Sequence, residues 1–198
     1  MTTTVYVPRE TAAVSLGAHQ IAARLEAVDG VNVVRNGSRG ASWLEPMLEV
    51  VVGDERIAYG PVSVDDIDDL LTAGFLDGGA HALRLGPTAD IPYLAQQERW
   101  TFARCGLIDP LSVEQYLQHK GFAGLRKALE LGPAEVIEQI KLSGLRGRGG
   151  AGFPTGIKWQ TVADAESDEK YIACNADEGN SGTFSDRILM ESDPLTLI

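Results

Sequence analysis

Residues 47–59, MLEVVVGDERIAY, decide the fold: two short runs rich in branched and aromatic residues, Met47 to Val52 and Arg56 to Tyr59, flank Gly53-Asp54. Side chains of that kind favour the pleated conformation, and a Gly-Asp pair between two such runs marks a hairpin. Working back toward the N-terminus, Val31 to Val34 reads as a further strand. Residues 11–27 place Ala13, Leu16, Ile21 and Leu25 at helical spacing, and residues 3–8 give an opening strand. Working forward, Ser63 followed by Val64, Asp65 and Asp66 caps a helix through Leu70 and Leu71, because short oxygen-bearing side chains satisfy the first-turn amides. The order β-α-β-β-β-α, closed by Asp77-Gly78-Gly79, describes a compact α/β domain over residues 1–84.

Prolines at 87 and 92 and weak periodicity make residues 85–100 an expected extended linker. A second domain over residues 101–198 then opens with helices: one starting at Asp109-Pro110, one from Phe122 to Leu131 ended by Gly132, and one with Pro133 in its first turn and Gly144 at its stop.

The 198-residue chain has 44% hydrophobic residues, a formal net charge of −11 and a sequence pI near 4.7. That charge repels nucleic acid and anionic lipid. The start of the chain lacks the marks of a secretory signal, and no apolar run approaches membrane length, so the expected location is cytoplasmic with no membrane span. The two cysteines, Cys105 and Cys174, have no CxxC partner, which leaves neither a disulfide framework nor a thiolate metal site; both read as small buried hydrophobes.

Chemistry concentrates in residues 143–159, SGLRGRGGAGFPTGIKW. A glycine-rich loop running into a helix, here Pro154 to Val162, can aim several amides at one point where the helix dipole also favours an anion. Lys158 adds a mobile charge, and Phe153 and Trp159 offer flat faces to a ring system. A flexible linker is the bland alternative, but linkers are serine-rich and lack Phe, Ile and Trp. Arg146 and Arg148 suggest an RGG-type nucleic-acid segment, a poor match for an acidic chain. Residues 147–152 fit GxGxxG formally, without the strand that fingerprint needs, and Trp159 stands where a Walker loop has Ser or Thr. Residues 170–178 read as a buried strand delivering Asn175, Asp177 and Glu178, able to accept hydrogen bonds from a flavin, or else as a turn capping the next helix.

Ser143 to Trp159 and Tyr171 to Arg187 (YIACNADEGNSGTFSDR) resemble the paired flavin-site motifs of the NADH-oxidising, FMN-binding subunits of complex I, NAD-reducing hydrogenases and NAD-dependent formate dehydrogenases; Ile108 to Lys141 resembles their helical lead-in. The resemblance implies FMN and NAD(H) as cofactors in a Rossmann-like α/β domain that begins here. FMN would be held by Gly147, Arg148, Gly149, Lys158, Asn175, Asp177 and Glu178, with Phe153, Lys158 and Asn180 near the nicotinamide nucleotide. No side chain of the protein would be catalytic, the hydride chemistry being the flavin's. Asn180 and Ser181 stand where complex I members usually carry glutamate and proline.

The first domain resembles a thioredoxin-like [2Fe–2S] module with Pro8, Ala13, Ser38 and Ser42 at the four ligand positions, so no [2Fe–2S] cluster is expected. That combination is most similar to the beta subunit of NAD-dependent formate dehydrogenase. It implies iron–sulfur and molybdopterin-type partner subunits, with a [4Fe–4S] segment in a C-terminal part beyond this chain. On that expectation the chain is a fragment that does not turn over alone, or one that serves only in docking.

Overall fold

The computed structural model describes residues 2–198. Contacts divide the chain into two compact units, Met1–His119 with Glu178–Ile198, and Lys120–Asp177.

The first unit is built on five strands: β1 (Thr3–Tyr6), β2 (Val31–Val34), β3 (Leu48–Val52), β4 (Glu55–Tyr59) and β5 (Arg84–Pro87), in the spatial order β2-β1-β3-β4-β5. β1 and β2 run parallel, and the other neighbours are antiparallel. The β3–β4 hairpin has the register Leu48 to Tyr59 through Val52 to Glu55, with Gly53 at φ +62° in its turn. A β-α-β crossover followed by a hairpin in this order is the thioredoxin-like arrangement, as expected.

Alternation along the strands buries both faces. Val5, Leu48, Val50, Ile57 and Tyr59 join Ile21 and Leu25 of α2 (Ala18–Glu26), Ile67 and Leu70 of α3 (Ile67–Thr72) and Phe75 in the main core. Side chains of this size stabilise by about 1.5–3 kcal/mol each when fully buried. On the other face Ala58 packs with Met47, Ile91 and Leu94. Ser63 caps the segment leading into α3, as the sequence predicts, and the structure adds a reciprocal capping box with Asp66.

Two expectations fail here. The helix predicted over 11–27 is broken into α1 (Thr11–Ser15) and α2, because Gly17 sits at φ +103°, a left-handed conformation that ends one helix and begins the next. Residues 85–100 are not an extended linker: they supply most of β5 and then α4 (Pro92–Ala95). Pro87 masked that strand in the sequence, yet on an edge strand proline gives up no needed donor.

Farther along, α5 (Val113–Gln118) starts later than predicted, capped by Ser112 accepting from the Gln115 amide at 3.2 Å. Asp109 instead accepts from the Leu111 amide and meets Arg9 at 3.3 Å.

The second unit holds α6 (Ala123–Leu131), α7 (Pro133–Leu142) and α8 (Thr155–Asp164), with the predicted bounds of the first two nearly reproduced. Gly132, at φ +79°, makes the turn between α6 and α7. At Gly156, buried in α8, an added Cβ would lie 2.8 Å from the Lys141 backbone, so this glycine serves the close approach of α8 to α7. The remaining helix, α9 (Ser185–Ser192), belongs to the first unit.

The strand predicted over 170–178 does not form. Among the described residues no segment pairs with it, and an unpaired extended chain has no ladder to satisfy its amides. Tyr171 and Ile172 are 83% and 99% exposed, and Cys174 is exposed rather than buried, while Cys105 is buried as expected. Within residues 101–198 the only described pairing is an isolated antiparallel bridge, Arg146 to Pro154.

Candidate functional site

That bridge sets the geometry of the glycine-rich segment. The Gly147 amide donates to the Phe153 carbonyl at 2.8 Å and the Thr155 amide to the Leu145 carbonyl at 2.9 Å. The chain is thereby pinched into a loop that opens at Arg148, closes at Phe153 and runs straight into the N-terminus of α8. None of the main-chain amides from Arg148 to Phe153 has a partner among the described residues. Gly150 and Gly152 stand at φ +100° and +58°. A left-handed backbone costs other residues about 1–2 kcal/mol, which accounts for glycine at both.

The site therefore differs in detail from the sequence reading. The Gly147 amide is not free: it is spent on holding the loop shut. Gly149 lies outside the positive-φ region and has open space on its Cβ side. Lys158 is brought to the loop, its Nζ 3.5 Å from where a Gly147 side chain would begin and 5.9 Å from the centre of the Phe153 ring. Arg148 turns back to donate to the Arg146 carbonyl at 2.7 Å. Trp159 does not join this group. It lines an apolar cleft of about 490 Å³ with Val136, Ile137, Tyr171 and Ile172.

Asn175 and Asp177 lie in exposed chain, where the Asn175 side-chain oxygen accepts from the Asp177 amide at 3.0 Å. Glu178 has both carboxylate oxygens directed at the first turn of α9, accepting from the Asp186 and Arg187 amides at 2.8 and 3.4 Å. It is the capping role that sequence alone left open, and Glu178 performs it from φ +53°, a conformation uncommon outside glycine. Asn180 occupies the turn before α9, its carbonyl accepting from the Thr183 amide at 3.2 Å.

In the first unit, core packing and hydrogen bonds occupy two of the four places where the resemblance puts cluster ligands, Ala13 and Ser38. Ala13 is wholly within the main core. Ser38 Oγ donates to Glu45 at 2.7 Å and accepts from the Gly40 amide at 2.9 Å. Burial pushes the Glu45 carboxyl up to about 7, against the lowering effect of its bonds from Ser38 and the Met47 amide, with Glu10 and Glu49 adding to the rise. Among the described residues no group of three or more His, Cys, Asp or Glu is placed to hold a metal. Nor is any helix long and apolar enough to cross a membrane.

Residues 140–198, which contain this loop and the Glu178 cap, match the Nuo51 FMN-binding domain. The chain is similar to the NADP-reducing hydrogenase subunit HndC of Solidesulfovibrio fructosivorans, 50% identical over 52% of this chain and 21% of that protein. It is also similar to an NADH-quinone oxidoreductase subunit of Rhizobium meliloti, 61% identical over 39% of this chain and 19% of that one. Among solved structures, the thioredoxin-like [2Fe–2S] ferredoxin from Aquifex aeolicus overlaps 43% of this chain and 97% of its own at a TM-score of 0.37 and 16% identity. The chain spans about a fifth of the length of the first two relatives.

Proposed function

We propose that this chain is part of a flavin-bearing diaphorase subunit that transfers electrons between NAD(H) and iron–sulfur clusters through FMN. The observation that carries the reading is the loop from Arg148 to Phe153, pinned by the Arg146–Pro154 bridge and presenting unpartnered amides beside Lys158. It lies inside the span that matches the Nuo51 FMN-binding domain. Donors in such a loop suit the phosphate of FMN, and Lys158 supplies the opposing charge.

FMN, when bound, supplies the exchange of a hydride with nicotinamide and of single electrons with iron–sulfur centres. The protein's own residues bind and orient. Amides of the loop would hold the anionic end, the Phe153 face would flank the nucleotide, and Asn175 and Asp177 would accept from polyol or ring N–H groups. Glu178 keeps α9 and the preceding turn in place, which sets where Asn180 stands. An amide at Asn180 in place of a carboxylate lowers the negative charge facing the nicotinamide nucleotide.

In this reading residues 1–84, completed by β5 and α4 from residues 85–100, are a thioredoxin-like domain without cluster ligands, and 101–198 begin the FMN and NAD(H) domain. The setting is cytoplasmic. A cluster-free first domain combined with the flavin motifs favours an NAD-dependent formate dehydrogenase, with molybdopterin-type and iron–sulfur partner subunits and a [4Fe–4S] segment elsewhere in the whole protein. The relatives' names favour complex I or an NAD(P)-reducing hydrogenase as the second setting. The exposure of Ile172 and Tyr171 favours a third reading, a docking piece without catalysis. FMN titration separates the enzyme-subunit readings from the docking one: a yellow protein with the absorbance of bound oxidised flavin is expected. A chain that stays colourless at millimolar FMN would overturn the flavin assignment. Formate-dependent NAD reduction by the full complex then decides between the formate and hydrogenase settings.

A further inference from the structure

A second cavity lies wholly within the first unit, about 300 Å³ in volume, lined by Arg39, Arg99, Tyr93, Phe102, Thr183 and Ser185 among others. None of its lining residues belongs to the glycine-rich loop, and none carries a carboxylate, although the chain as a whole bears a net charge of −11.

The balance of charge around the cavity is unusual. Glu49, fully buried, is shared between two guanidinium groups, Arg39 at 2.7 Å and Arg56 at 3.0 Å. Those three side chains together keep one positive charge in excess. Arg99 adds another, and among the described residues it makes no ion pair or hydrogen bond. Burial and the neighbouring Arg39 charge hold its pKa below the usual guanidinium range, so the group stands in a place that disfavours its own ionisation. A buried or half-buried guanidinium ordinarily finds a partner, because leaving it without one forfeits the hydration it has lost. Here Arg99 lines the cavity.

The other walls supply what an anion and a small organic body need. The hydroxyls of Thr183 and Ser185 have no partner among the described residues and stand at the start of α9. Tyr93 is held edge-on by Trp43 with ring centres 4.7 Å apart, and it faces the cavity together with Phe102. Arginine is the side chain best matched to the paired oxygens of a phosphate, and aromatic faces accept a flat ring.

We propose that this cavity binds a phosphate group, free or esterified to a small ring-bearing molecule, through Arg99 with Arg39 and the Thr183 and Ser185 hydroxyls. The site goes beyond the flavin reading and does not depend on it.

Two-dimensional NMR on the full chain tests it, with inorganic phosphate and adenosine monophosphate as separate probes at low ionic strength. Saturable shifts of the Arg99 Nε–H signal and of the Gly40, Thr183 and Ser185 amides are expected. Equal affinity for the two probes identifies a bare phosphate site. Tighter binding of the nucleotide, with shifts of the Tyr93 and Phe102 ring signals, identifies an ester site. Arg99→Gln should weaken either probe at least tenfold, while Arg99→Lys, which keeps the charge, loses less. Shifts confined to residues 148–153, or no saturation by 10 mM of either probe (about the weakest affinity of interest for a specific site), would overturn the proposal. The wild-type map decides this even if Arg99→Gln does not fold. Because the map resolves the two regions, failure here and failure of the glycine loop to take up FMN are separate results.

Discussion

The Ser192 hydroxyl accepts a hydrogen bond from the Ser38 amide at 3.0 Å, joining the last residue of α9 to the loop after β2. The contact is close on every side. Glu191 accepts from the amide and hydroxyl of Thr11, both at 2.6 Å, and Asp193 takes Arg104 at 2.9 Å. A side chain at Gly37 would overlap that of Ser192 and stand 2.7 Å from its Cα. The helix α9 is thus anchored within the first unit on the loop after β2 and on the start of α1.

Gly37→Ala should therefore push α9 off the loop or strain the loop itself, at about 1–3 kcal/mol, the usual cost of overpacking. Urea unfolding checks this: the midpoint should fall with little change in slope. An unchanged midpoint would show that α9 yields without cost.

Glu45 gives a pH dependence of defined sign. Its folded-state value, about 7, lies above that of an unfolded glutamate, so the folded protein holds the proton more tightly. The stability this contributes is full below the unfolded value, near 4.3, and is lost as pH rises through about 7. Glu45→Gln removes the ionisation. Between pH 4.5 and 7.5 wild type should lose stability relative to that variant, by on the order of 3 kcal/mol in all. Parallel denaturation curves at each pH measure the difference, and a constant gap would mean that Glu45 stays ionised.

Glu49 and Asp68 contrast a buried and an exposed ion pair. Glu49 is fully buried between Arg39 and Arg56, so Glu49→Ala leaves two guanidinium groups uncompensated and should destabilise by about 3–5 kcal/mol. Arg24 pairs with Asp68 at the surface, where solvent screens the attraction. Arg24→Ala should leave the thermal midpoint where it is. Comparable losses in the two variants would contradict this ranking.

Legibility in the sequence tracks the strength of local signals. The hairpin at Gly53-Asp54, the cap at Ser63 and the α6–α7 turn at Gly132-Pro133 are local, and each forms where expected. β5 was hidden because its glycine and proline look like linker, and only pairing with β4 makes it a strand. The segment 170–178 erred in the opposite direction: its composition suits a strand, but strand structure needs a neighbour that composition does not reveal. At the candidate site the glycine density was legible. Which amide closes the loop and which ones remain open depended on the bridge between Arg146 and Pro154, and Gly156 proved to serve helix packing. The unpartnered Arg99 left no mark in the sequence, since its cavity is assembled from residues far apart in the chain.

Two neighbouring glycines of that loop should respond differently to the same substitution. Gly150, at φ +100°, needs a conformation that a Cβ disfavours, although nothing lies within 4 Å to clash with one. Gly150→Ala should therefore act through the backbone alone, costing about 1–2 kcal/mol and turning the loop's amides away from a common point. If those amides hold the phosphate of FMN, flavin affinity should fall roughly tenfold, equivalent to 1.4 kcal/mol. Gly149 lies outside the positive-φ region and also faces open space, so Gly149→Ala should change affinity by less than about threefold, under 1 kcal/mol. Flavin fluorescence titrations of the two variants measure the contrast. Equal losses would mean that chain stiffness, and not the left-handed turn at Gly150, governs binding, and equal retention would mean that the amides from Arg148 to Phe153 do not grip the ligand.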